Sequence, residues 1–535
     1  MPRKKHCYIF VLIVLLTTSL LAGCGTASNT RNSEKILRYG AGAEPRTLDP
    51  RKSTGTPDST IEAQLFEGLT ALDAKESVVP AAAQSWDITA DGLIYTFHLR
   101  SNGKWSNGDP VTAHDFIYAW TTVLSSELAS EYACQLYYIK NGEAFNKGYA
   151  KASDLGIKAV DDRTLEVTLE NPTPYFLTLL AFHTYYPVHK KTVEANSAWA
   201  ADVKTIIGNG PFAIMHWVHN SKIEFVKNVH YWAADKVKLN KLVFFLTESS
   251  ATELAMFDNG QLDMGDNPPT TEFGRLKKEN KLVINPYLGT YFFSINVTSP
   301  PFDNVKVRKA FSLAINRKAI IQNITKGEQK AALGWVPFGL PDVGGADFRQ
   351  SGGNYFQDNS IERAKQLLAE AGYPGGQGLP QVTFIYNTNE MHKAIAEAVQ
   401  EMWKKNLGVT VVLANQEWKV FIENRHKGFY QLARNGWLGD YADPMTFLDV
   451  FVSDSGNNDA QYKNKEYDNL IYLAKTTGDL AAREKALHDA EKILFDDAVL
   501  IPLYFYTKPA VVNPAVKGYI RSVLGTLYFK EAYLE

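Results

Sequence analysis

The chain has 535 residues, 45% of them hydrophobic and 21% charged, with a formal net charge of −2. Those proportions exclude a disordered or fibrous protein, and at about 150 residues per domain the length implies two to four domains. The balanced charge carries no electrostatic footprint for nucleic acid. Aromatic residues (27 Tyr, 28 Phe, 10 Trp) exceed what a core needs, so some are expected on a ligand-contacting surface.

In chain order, the first feature is a targeting segment. Pro2-Arg3-Lys4-Lys5-His6 is a positive start, and the apolar run Tyr8 to Leu20 is too short to span a bilayer and fits a secretory signal. Leu21-Ala22-Gly23-Cys24 looks like a bacterial lipobox, so residues 1–23 are expected to be removed and Cys24 lipidated, with 24–35 as a polar tether. This predicts an extracytoplasmic protein anchored to the cell membrane. Cys134 is then the one thiol left beside Cys24, which excludes a disulfide within the mature domains, and it is expected to be buried.

The mature chain reads as mixed α and β. Ile94–Leu99 alternates as a strand, and Ile157–Val160 and Leu165–Leu169 flank a four-residue turn as a hairpin. Gly208-Asn209-Gly210-Pro211 reads as a tight turn, because Pro211 lacks the amide a phosphate cradle would use. Leu242–Leu246 and Tyr291–Asn296 carry few polar interruptions, as strands buried on both faces do. Helices are expected at Ile361–Ala371, opening after Asn359, at Glu390–Asn406 and at 480–496, with strands at Val409–Leu413 and Leu500–Tyr506. Strands alternating with helices after a strand-rich first half imply an α/β protein of at least two lobes.

Catalytic and cofactor motifs are nearly absent. The sequence holds no His-Glu-x-x-His, Cys-x-x-Cys, Gly-x-Ser-x-Gly or Walker-type loop. His216 and His219 fall on different faces of a probable strand, a poor metal pair. Asp440 and Asp443 form the one carboxylate pair that could serve an extracellular hydrolase. No metal or cofactor is expected.

Several segments resemble the oligopeptide-binding proteins of ABC importers, in the peptide/nickel group of extracytoplasmic solute receptors. They are Glu44-Pro45-Arg46-Thr47-Leu48-Asp49-Pro50, Leu65-Phe66-Glu67-Gly68-Leu69, the signature stretch from Lys104-Trp105 to Asp115-Phe116, and Gly436-Trp437-Leu438-Gly439-Asp440-Tyr441. The resemblance implies a type II periplasmic-binding-protein fold: two lobes around a ligand cleft, plus an extra α/β domain. It places lobe I at 36–66, 191–290 and 508–535, the extra domain at 67–190, and lobe II at 291–507, with strands crossing between lobes as a hinge.

It also implies a function. A monomeric receptor would capture short peptides and deliver them to the permease subunits of an ABC importer. Asp440 matches the anchor for the peptide ammonium, and Arg434 a position that pairs with the carboxylate of short peptides. Arg425 and His392 match cationic positions used for other lengths. Tyr132 and Trp418 match aromatic positions near the cleft, and Gly436 and Trp437 belong to the same motif as Asp440. Relatives of this fold also take murein tripeptide, nickel chelates or haem. Two departures stand out: Gly289 and Leu438 replace a cysteine pair of enteric members, and Thr54 replaces a Glu.

Overall fold

A computed structural model describes residues 35–74 and 76–535, with the side chains of Trp418 and Lys419 outside that description. The targeting segment and Cys24 lie outside the described residues. No described helix is long and apolar enough to cross a membrane.

One 11-stranded sheet runs through the molecule. At its centre lie two long antiparallel strands, Leu282–Ile295 and Leu500–Val512, of 14 and 13 residues. On one flank follow Leu432–Leu438, Val382–Asn387 and Val411–Gln416; on the other come Met264–Asp266, Ile36–Gly42, Lys241–Leu246, Lys222–Lys227 and Phe212–Val218. The central strands therefore belong to both halves of the fold. Each half has its own packed interior, for example Phe293, Phe384 and Trp403 on the first flank and Tyr39, Phe225 and Phe244 on the second.

Both central strands outrun the sequence expectation. Their unexpected halves contain Pro286 and Pro509, which read as strand breakers because each removes a ladder donor. Pro509 pairs with Ile284 in unbroken register, whereas the first is followed by a register shift between Pro286 and Thr290. In that gap the Leu288 N–H donates to the Val523 carbonyl at 2.7 Å, and its own carbonyl accepts the Gly439 N–H at 2.9 Å.

A separate four-stranded antiparallel sheet comprises Ala83–Ile88, Ile94–Leu99, Thr164–Thr168 and Ile157–Asp161, covered by the helix Ala113–Leu124. The signature stretch builds this unit rather than the cleft. Trp105 is fully buried, and the Thr112 amide and hydroxyl both donate to the Asp115 carboxylate at the helix start, at 2.8 and 3.0 Å. The tight turn at Gly208–Pro211 also docks structurally, with Asn209 bonding the Glu67 backbone twice, at 2.9 and 2.8 Å.

The helices Glu390–Leu407 and Leu480–Asp496 match their expected spans closely. Ile361–Glu370 begins after Ser360, not Asn359, whose φ of 55° takes it out of the helix path. The strand expected from Val409 begins at Val411.

Candidate functional site

The strand Leu432–Leu438 carries three of the eight expected site residues, Arg434, Gly436 and Trp437. It pairs with Leu282–Ile295 so that Arg434 faces Phe293, Gly436 faces Tyr291 and Leu438 faces Gly289. The two positions that replace a cysteine pair are thus direct cross-strand neighbours. A Cβ on Gly436 would sit 2.4 Å from the Tyr506 hydroxyl, so only glycine admits this packing.

Just past the strand, the loop holding Asp440 is pinned at three points. Trp437 Nε1 donates to the Thr446 carbonyl at 2.7 Å, the Asp440 amide donates to Thr446 Oγ1 at 3.1 Å, and Gly439 abuts Leu288, where a Cβ would lie 2.8 Å from a methyl.

Asp440 sits where two cavities meet, one of about 680 Å³ and one of about 180 Å³; both are also lined by Thr54 and Tyr132. The larger is walled by residues of 131–143, 170–173 and 437–457 together with Lys475; the smaller reaches His183, Tyr287 and Ser522. Among the described residues the Asp440 carboxylate has no hydrogen-bond or ion-pair partner. Burial, and then the charge of Asp449, push its pKa up to about 7. Asp449 is itself raised by burial, against the opposing pull of Lys475 at 3.7 Å.

Arg434 is also short of partners. Its guanidinium lies over the Tyr291 ring at 5.0 Å, Nη2 reaches the Tyr506 hydroxyl at 3.4 Å, and Nε is buried without a hydrogen bond. A guanidinium in that state suits an incoming carboxylate.

The other expected cations are differently placed. His392, in the first turn of Glu390–Leu407, meets the Tyr291 hydroxyl at 3.2 Å; burial, and then Arg434, hold its pKa down to about 3. It is neutral here, not cationic. Arg425 pairs with Asp459 at 2.7 Å and donates to Asn435 at 2.8 Å, so its charge is already met. Tyr132 packs edge-on to Phe182 and His183 in the cavity wall. Trp418 opens the helix Trp418–His426, and its side chain lies outside the described residues.

Two expectations are overturned. Cys134 is exposed on the wall of the larger cavity, not buried, because the short turn Ala133–Leu136 turns its neighbours Ala133 and Gln135 inward instead. Asp443 is no partner for Asp440 in acid/base work. It is buried, bound to Arg483 at 2.6 Å and accepts the Met445 amide at 2.9 Å.

His219 pairs with Glu44 at 2.7 Å rather than with His216, and no metal-holding cluster exists among the described residues. Sequence reasoning missed Asp449, Lys475 and Glu170 in the cavity wall; nothing local distinguishes them from surface charges.

Residues 77–459 match the family described as bacterial extracellular solute-binding proteins, family 5 Middle. Over 99% of its length the chain is 39% identical to the whole of the oligopeptide-binding protein OppA of Bacillus subtilis. It is 36% identical to the periplasmic murein peptide-binding protein MppA of Escherichia coli, covering 95% of this chain and 94% of that protein. Among solved structures, Haemophilus influenzae OppA in complex with RPPGFSPFR superposes with a TM-score of 0.78 at 35% identity, covering 94% of this chain and 99% of that one.

Proposed function

The chain belongs to the bacterial extracellular solute-binding proteins of family 5, and from that premise we propose that it captures short oligopeptides outside the cytoplasm for an ABC importer. It acts as a receptor and not as an enzyme. The observation that carries this reading is Asp440: a carboxylate without a counter-ion among the described residues, where two cavities meet, in the loop just past the strand that presents Arg434 without a carboxylate partner.

A peptide of arbitrary sequence offers three constant features, an ammonium, a carboxylate and backbone amides. Asp440 takes the ammonium and Arg434 the carboxylate, each as a charge-assisted bond strengthened by the exclusion of water. The backbone pairs with strand edges, and waters adapt the side-chain space to different residues. Tyr132 and Trp437 flank the bound chain, and Gly436 lets the strand approach Tyr506. Arg425 and His392 serve peptides of other lengths only if binding frees the first and protonates the second.

The receptor is a monomer anchored through a lipid on Cys24. Lobe I comprises 36–66, 191–290 and 508–535, lobe II comprises 291–507, and 67–190 form the added domain. The two central strands are the hinge.

A murein peptide is the second reading, favoured by the likeness to MppA, since it offers the same ammonium and carboxylate. Native mass spectrometry of the protein lacking residues 1–24, as purified and with defined tri- to pentapeptides, separates the readings. Mixed peptide masses that exchange intact, and whose affinity falls about 10- to 100-fold in Asp440→Asn, support the general receptor. A single murein-derived mass with no uptake of other peptides replaces it with the second reading. No peptide bound under any condition overturns both.

A further inference from the structure

We propose that the 680 Å³ chamber beside Asp440 selects peptides whose first residue is Lys or Arg, with Glu170 as the carboxylate that reads the side chain. The proposal rests on the reading of Asp440 as the ammonium anchor and adds a substrate class to it.

The argument is a charge inventory of the chamber. Five carboxylates line it (Glu131, Glu143, Glu170, Asp440 and Asp449), and Lys475 is the one basic residue among its lining. Three of the five have cations: Asp449 has Lys475 at 3.7 Å, Glu131 has Arg46 at 2.9 Å and Glu143 has Lys147 at 2.6 Å. Among the described residues the Glu170 carboxylate, exposed on its wall, meets only the Asn141 amide, at 2.9 Å, and the Asp440 carboxylate has no hydrogen-bond or ion-pair partner. Two carboxylates on different walls are therefore without a counter-charge among the described residues. The peptide ammonium satisfies one of them, leaving Glu170 for a second positive group on the ligand.

Position follows from covalent connection and charge. The first side chain leaves the same Cα as the ammonium held at Asp440, and of the two cavities meeting there only the larger has further carboxylates in its lining, so a basic first side chain enters this chamber. Lys and Arg reach across on flexible stems while keeping their heads hydrated. The volume far exceeds one side chain, and water fills the remainder, so the chamber discriminates by charge and not by shape. An acidic first residue meets like charge there and is disfavoured.

Isothermal titration calorimetry tests this with Lys-Ala-Ala, norleucyl-Ala-Ala and Glu-Ala-Ala at low and high salt. The lysyl peptide should bind about tenfold more tightly than the norleucyl one at low salt, with the glutamyl peptide weakest and the differences shrinking as salt rises. In Glu170→Gln the lysyl-to-norleucyl ratio should fall to about twofold. Because the readout is a ratio within one protein, a general loss of folding cannot mimic it. Equal binding of lysyl and norleucyl peptides, or a ratio unchanged in Glu170→Gln, overturns the charge selection while leaving the receptor reading intact. Failure of all three to bind while longer peptides bind overturns this inference alone; failure of peptides of every length removes the receptor reading, and this inference with it.

Discussion

A carboxylate without a counter-ion is costly inside a cleft wall, and Asp440 meets that cost by keeping its proton near neutral pH. Burial, and then Asp449, set its pKa at about 7 in the ligand-free protein. An ammonium at the site favours the charged form and lowers that value, so binding below pH 7 must expel a proton. Affinity should therefore rise with pH, approaching tenfold per unit, up to about pH 7. It should fall again above about pH 8 as the peptide's own α-amino group loses its charge. Calorimetry in buffers of different ionisation heat would register release of nearly a whole proton at pH 6 and of only a small fraction of one at pH 7.5. An affinity flat from pH 5.5 to 7.5 would mean that Asp440 is already ionised before the ligand arrives. The motif around Asp440 made this residue legible in the sequence. Its pKa was not, because it depends on Asp449 and on walls contributed by distant segments. The neutrality of His392 was hidden for the same reason, since its burial, and then the nearness of Arg434, arise only through the fold.

Among the elements, those with one uninterrupted pattern were readable and those with a built-in break were not. The helix Leu480–Asp496 has an Asp479 cap whose carboxylate accepts two amides, so sequence and structure agree on its span. The central strands carry Pro286 and Pro509 in their interiors, and only pairing with each other reveals that each continues, with a register shift after Pro286 and none at Pro509. That same helix also fastens one half of the molecule internally. Glu491, fully buried, accepts the amides of Trp335 and Val336 at 2.7 and 2.9 Å, the Arg349 guanidinium at 2.5 Å and the Tyr355 hydroxyl at 3.0 Å. Glu491→Ala strands a buried guanidinium and two amides, and should destabilise the protein by about 3–5 kcal/mol. Urea unfolding followed by tryptophan fluorescence would show it as a lower midpoint; a loss below about 1 kcal/mol would mean that water replaces the carboxylate.

For the whole molecule, two lobes follow from the sheet itself: strands on either side of a shared central pair, each flank with its own core. The sequence anticipated the two lobes and the α/β class, but not how the added four-stranded unit meets the rest. It does so through tyrosines. Tyr175 stacks on Tyr441 at 5.1 Å, the Tyr138 hydroxyl lies 3.4 Å from that of Tyr441, and Arg483 lies over Tyr175 at 5.2 Å. These contacts join the wall bearing Cys134 to the loop bearing Asp440, so the cleft is drawn together beside the anchor. On the proposed reading, a peptide held by Asp440 would add its own contacts to the same seam and, by binding the closed arrangement better, shift the population toward it. Cys134 reports on this directly, being exposed in the cavity wall and the sole thiol once residues 1–24 are absent. Desolvation by the surrounding cavity walls, and then Asp440, raise its pKa, so modification by a maleimide should be slow but measurable at pH 8 in the free protein. Saturating peptide should slow it at least tenfold, and Asp440→Asn should need correspondingly more peptide for the same protection. A rate indifferent to saturating peptide would mean that ligand neither covers this wall nor closes the lobes over it.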